Sequence, residues 1–313
     1  MNRRRAAALA TTVAAAAGAY ALEQARARRW RVGEGALEAA GLTLPADVRH
    51  RFVETSDGGR VHVVERGEGP ATVLVHGVML GVGVWAPQLR RLPGRVIAVS
   101  LRGHGQSRAG SEGYGIERLA GDLVEVLAAL DVRGAALVGH SMGGMAAQLA
   151  AVAGGAELER VRRLVLVATS AAPALPTPIL GLASAGAVRA LGSAERMGRG
   201  PLPKSTTVWA ARLSFGQDPA PADVELTCAM LDAMSPSALA GLLPGLLAFD
   251  ARDRIGAIAL PTDVVVGSRD VLTPPRTARA IAAGVPGAVL TVLKGCGHMV
   301  MLERADELCS ILR

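Results

Sequence analysis

What this 313-residue chain lacks narrows its chemistry first. It has three cysteines, Cys228, Cys296 and Cys309, far apart and without a C-x-x-C pair, so neither a zinc site nor a disulfide framework is indicated. The spacing leaves a single bridge between two of them open, and with it the redox compartment. Aromatic residues make up 3% of the chain, and its two tyrosines are Tyr20 and Tyr114. Lysine is nearly absent, 2 residues against 32 arginines, which reads as a base-composition bias of the genome and not as a binding signal. Positive charge is also scarce once it is located. Of the formal +7, residues 1–31 hold +6, so the remaining 282 residues carry +1 and leave no basic face for nucleic acid. No nucleotide motif and no set of residues at metal-ligand spacing occurs, so no cofactor and no metal is expected.

The N-terminus has a character of its own. Arg3-Arg4-Arg5 precede Ala6–Leu22, 17 uncharged residues built mostly of alanine, and Arg26, Arg28, Arg29 and Arg31 follow. The pattern resembles a signal peptide, with Ala17-Gly18-Ala19 or Ala19-Tyr20-Ala21 as cleavage sites, or a short membrane anchor. The arginines after the apolar run resist translocation. An alanine-rich helix on a cytoplasmic protein is the third reading. Membrane association through residues 1–31, or export, is expected over a purely cytoplasmic location, and residues 1–33 are set apart from the fold.

The body of the chain is half hydrophobic and long enough for one large core. Arg51–Thr55 and Val61–Glu65 alternate around Asp57-Gly58-Gly59 and predict a hairpin. Thr72–Val75, Arg95–Ser100, Ala135–Val138, Arg163–Ala168, Thr262–Gly267 and Ala288–Leu293 read as strands, several of them continuously apolar as in a sheet buried on both faces. Helices are predicted at Trp85–Leu92, Ile116–Leu130, Met145–Ala153, Pro275–Ala283 and Ala305–Leu312. This alternation predicts an α/β fold with a mostly parallel central sheet flanked by helices. It breaks over 171–248, which holds nine of the 17 prolines, many leucines and no convincing strand. That segment is expected to be a helical cap inserted into a core formed by 34–170 and 249–313.

Chemistry concentrates at Gly139-His140-Ser141-Met142-Gly143-Gly144, which fits G-x-S-x-G between a short apolar strand and a helix-forming run. A serine at such a turn is forced into an unfavourable backbone region. Its neighbours two before and two after must be tiny, and here both are glycine. The hydroxyl would stand at a helix N-terminus, where partial positive charge favours an anionic intermediate. Ser141 is therefore the candidate nucleophile. In a parallel sheet its partners must come from the carboxyl ends of other strands. Asp270 stands three residues past Gly267, and His298 stands past the next strand in Gly295-Cys296-Gly297-His298. Asp250 and Asp253 are substitutes for the acid, although neither follows a strand.

With His76-Gly77 after one strand and Arg102-Gly103-His104-Gly105-Gln106-Ser107 after the next, these motifs stand in the order found in the α/β-hydrolase family, which the chain resembles from about residue 50 to its end. The resemblance is to serine esterase and lipase members with a helical cap. It implies that Ser141 attacks a carbonyl, that His298 takes and returns the proton, and that Asp270 orients the imidazole. The backbone N–H groups of Val78 and Met142 would hold the oxyanion, each worth about 10²–10³ in rate. His76, His104 and His140 would tie loops together. Aspartate nucleophiles of epoxide hydrolases and dehalogenases are replaced here by serine, and neither tyrosine lies in the cap. A carboxylesterase or lipase acting on lipophilic esters is expected. Alternatives are a cofactor-free perhydrolase or haloperoxidase, a carbon–carbon bond hydrolase, an acyltransferase and, last, a ligand-binding member without activity.

Overall fold

The computed structural model describes residues 29–154, 160–173, 193 and 204–313. Residues 1–28, and most of the expected cap before residue 204, lie outside the described residues. Eight strands, β1 (Arg49–Glu54), β2 (Arg60–Arg66), β3 (Ala71–Val75), β4 (Arg95–Val99), β5 (Ala135–His140), β6 (Val161–Val167), β7 (Thr262–Gly267) and β8 (Val289–Leu293), form one sheet in the order β1-β2-β4-β3-β5-β6-β7-β8. The pairs β1–β2 and β2–β4 are antiparallel, and all others are parallel.

The continuous apolar runs have the cause expected of them. Every residue of β3 and β5 is buried, and alternate residues feed two cores: Val73, Val75 and Leu137 point to one, Leu74 and Val138 to the other. The first core is closed by α3 (Ile116–Ala129), α4 (Met142–Ala153), α7 (Pro236–Ala248) and α8 (Pro275–Gly284). The second is closed by α2 (Ala86–Arg91), α5 (Lys204–Leu213), α6 (Pro221–Ala233), α9 (Val300–Glu303) and α10 (Ala305–Leu312). A short helix α1 (Glu34–Ala39) packs against α6. The buried face of α3, with Leu119, Leu123, Val126 and Leu127, is the helical stripe read from the sequence.

Two details differ from expectation. The helix predicted from Trp85 begins as a 3₁₀ turn over Val82–Trp85, and α2 starts at Ala86 with Pro87 in its first turn. The chain also joins the fold before residue 33, because Arg31 pairs with Glu225 and Asp232 of α6 at 3.0 and 3.1 Å. Between β6 and β7 the described part contains α5, α6 and α7 and no strand. Among the described residues no single helix is long and apolar enough to cross a membrane. The pair α6 and α7 would pass together by length and composition but is bent by 101°. The three cysteines are buried free thiols.

The strand order places the site. β3 lies between β4 and β5, so the winding of the sheet reverses there and opens a crevice at the carboxyl ends of β3 and β5. Val75 is paired with Gly139. Gly77 and Ser141, each two residues further on, therefore meet.

Candidate active site

Ser141 has φ 52° and ψ −120°, the strained left-handed conformation required by a turn that leaves a strand and enters a helix at once. The turn survives because its glycines carry no side chain: a Cβ on Gly139 would lie 2.6 Å from Gly143 O, and one on Gly143 would lie 2.6 Å from Val75 O. The serine backbone is pinned on both sides, with N–H to Val167 O at 3.0 Å and its carbonyl accepting Thr169 Oγ1 at 2.7 Å. Met142 is the first residue of α4, so its N–H has no partner within the helix.

The loop after β3 lies against the serine, since a Cβ on Gly77 would sit 2.9 Å from Ser141 Cβ. Two histidines fix this loop. His76 donates from Nδ1 to Gly77 O at 2.7 Å and accepts Leu101 N–H on Nε2 at 3.0 Å. His104 accepts Met79 N–H on Nε2 at 3.0 Å and donates from Nδ1 to Arg102 O at 3.1 Å, which holds the residue beside Val78. Burial lowers both imidazoles, His76 to about 3 and His104 to about 4, so each is neutral and keeps one acceptor nitrogen. The loop that carries His104 is anchored in turn by the buried guanidinium of Arg102. It bridges Asp122 at 2.6 Å and Asp57, in the hairpin turn, at 2.9 Å.

Asp270 and His298 come together although they stand 28 residues apart. His298 Nδ1 lies 2.9 Å from Asp270 Oδ2. Oδ1 of the same carboxylate accepts the N–H groups of Leu272 and Thr273, both at 2.9 Å, and Oδ2 also accepts the Thr273 hydroxyl at 2.7 Å. Burial alone would raise this carboxyl, but the facing His298 ring and these hydrogen bonds outweigh it and hold Asp270 below the usual carboxylate range. The local turn around Asp270 and its bond to histidine therefore coexist on different oxygens. Asp250 instead pairs with Arg252 on an exposed turn. His298 reaches the serine through its neighbour: His140 donates from Nε2 to His298 O at 3.1 Å, and the two rings are 4.7 Å apart. Burial, then the facing His298, drives His140 well below its ordinary value. Ser141 itself is half-buried at the start of α4.

Of the residues that sequence reasoning names, the fold sets Asp270 against His298 and the Gly77-Val78 turn against Ser141 and Met142, with His140 touching the His298 loop. Sequence reasoning passed over Thr273, whose hydroxyl also lies 3.2 Å from His298 Nδ1. A threonine three residues after an aspartate signals only a turn, so no pattern marked it. It also passed over Glu303, which holds the backbone beside His298. A cavity of about 540 Å³ opens beside the acid loop, lined by Met145, Ile255, Leu272, Thr273 and Pro274 among others, with neither Ser141 nor His298 in its wall. Cys296, two residues before His298, is pushed up by burial and Glu303, which keeps its thiol protonated.

Known proteins align with this arrangement. A non-heme chloroperoxidase of Kitasatospora aureofaciens is 30% identical over 265 residues, covering 81% of this chain and 94% of that one. An uncharacterised protein of Mycobacterium tuberculosis is 30% identical over 248 residues, 74% of this chain and 71% of its own. An esterase from Exiguobacterium antarcticum superposes with a TM-score of 0.75 at 22% identity, covering 84% of this chain and 98% of that one, which is likeness of fold. The Alpha/beta hydrolase family profile matches residues 72–311, and the chain belongs to that family.

Proposed function

We propose that the protein is a serine hydrolase that cleaves lipophilic carboxylic esters through an acyl-enzyme. Ser141 attacks the carbonyl, His298 takes its proton and passes it to the leaving alcohol, and Asp270 holds the imidazole tautomer with Nε2 free to accept. The N–H groups of Met142 and Val78 receive the oxyanion. The observation that carries this reading is the buried Asp270–His298 pair at 2.9 Å, tied through His140 to a serine strained at φ 52°. Kinship to an esterase fold agrees with it. The inserted segment 171–248 serves as a cap whose apolar residues line the acyl site, and residues 1–31 bring the enzyme to a membrane surface or carry it across one.

Hydrolysis of p-nitrophenyl esters from acetate to palmitate, by the full chain and by Ser141→Ala, tests the reading. The variant should lose about 10⁴-fold or more in kcat, and the optimum chain length sizes the acyl site. Equal rates for the two proteins would refute it. One observation favours a second reading: the match to a chloroperoxidase extends over nearly all of that protein. Hydrogen peroxide in place of water as acceptor would make a peracid from the same acyl-enzyme. Peracid formation from acetate outrunning ester hydrolysis would select that reading.

A further inference from the structure

The base loop is fastened to the insertion as well as to the sheet. His298 N–H and Met299 N–H both donate to Ser214 O, at 2.7 and 3.2 Å, and Gln217 N–H donates to Gly295 O at 3.4 Å. Ser214–Gln217 is the turn that follows α5. One side chain joins the two strips. Glu303, in the single turn of α9, accepts Gly297 N–H on Oε1 at 2.9 Å and Gly216 N–H on Oε2 at 2.7 Å. Among the described residues it is the one side chain hydrogen-bonded to both. The contact is too close for substitution, because a Cβ on Gly216 would run into Gly295 O and come within 2.9 Å of Glu303 Oε2. The groups facing this carboxylate are Arg304 beside it, the Cys296 thiol, and Asp223 at the start of α6, which burial and then Glu303 raise to about 6.

We propose that Glu303 is a positioning residue for the reaction: its carboxylate fastens the base loop to the turn after α5, so the seating of that turn sets where the His298 imidazole stands relative to Ser141. This rests on reading His298 as the base. One charge-assisted N–H bond holds Gly297, the residue next to His298, and the other holds Gly216 in the turn after α5. A glutamine at 303 keeps one acceptor oxygen and presents an NH₂ group to the other N–H, leaving it unbonded. The imidazole then samples positions off the proton-transfer line, where a shift of about 1 Å costs up to about 10²-fold in rate.

The test compares wild type, Ser141→Ala, Glu303→Gln, Gly216→Ala and the double variant of the last two, at a temperature where thermal unfolding shows each to be folded. Ester hydrolysis gives kcat and KM, and labelling by a fluorophosphonate gives the reactivity of Ser141. Glu303→Gln should lower kcat and the labelling rate about 10-fold while KM stays within about 3-fold. Gly216→Ala, which pushes on the same bridge from the other side, should do likewise, and the double variant should lose less than the product of the two. Wild-type kcat and labelling in folded Glu303→Gln overturns the inference. If that variant does not fold, Glu303→Asp decides, since its shorter carboxylate cannot reach both N–H groups: a reduced kcat at unchanged KM supports the bridge, and a wild-type kcat overturns it. A wild type no faster than Ser141→Ala would instead sink the triad reading, and this inference with it.

Discussion

Lowering the pH from 8 to 5 should remove about 3 kcal/mol of folding stability through His76 and His104 net of one raised carboxyl, and more through His140, imidazoles that the native state keeps neutral. His76, His104 and His140 are all at most 1% exposed. Burial lowers the first to about 3, the second to about 4 and the third well below its ordinary value. In the unfolded chain each titrates at about 6.5. Between those values the unfolded state binds protons that the native state refuses, so stability rises with pH and falls as pH drops through 6.5. At pH 5 His76 and His104 each cost about 2 kcal/mol, together about 4 kcal/mol, and His140 adds to the loss in the same direction. Asp223 works the other way: its carboxyl, raised to about 6, is protonated in the fold while still ionised when unfolded, which returns about 1 kcal/mol at pH 5. The net loss is a large part of the 5–15 kcal/mol typical of a domain. Guanidinium titrations at pH 8, 7, 6 and 5 read it directly, with most of the loss below pH 6.5. A free energy of unfolding constant to within about 1 kcal/mol over that range would refute the neutral-histidine account of the loops.

Other perturbations probe the parts separately. Thr273→Val removes the hydroxyl shared by Asp270 and His298, and kcat for ester hydrolysis should fall about 10-fold, the worth of one hydrogen bond to a charged group, with KM nearly unchanged in steady-state assays. Gly77→Ala places a methyl against Ser141 Cβ, and the serine displaced from its attack position should lose about 10²-fold in fluorophosphonate labelling rate. Arg102→Met leaves Asp57 and Asp122 facing each other without their shared cation, and denaturant unfolding should show a loss of about 3–5 kcal/mol. A wild-type midpoint in that variant would mean that the two carboxylates find other partners.

How much could be read from the sequence differs with the range of the interaction. Fully buried strands such as β3 and β5 are legible because burial on both faces leaves no place for a polar residue, and a helix such as α3 shows its core stripe at 3.6-residue spacing. The serine turn is legible because strain and close approach admit only glycine at 139 and 143. Asp270 and His298 could be placed only at strand ends. Their meeting at 2.9 Å, and the exclusion of Asp250, required β7 and β8 to lie side by side beyond β6. Local sequence thus determined the elements, the strained serine turn and the family resemblance, since each depends on backbone sterics and periodic burial within a few residues. Tertiary structure alone decided what His76, His104 and His140 bond to, why Thr273 matters and that Glu303 reaches 87 residues back to Gly216. Those contacts depend on which loops the folded sheet brings together, and no spacing along the chain encodes that.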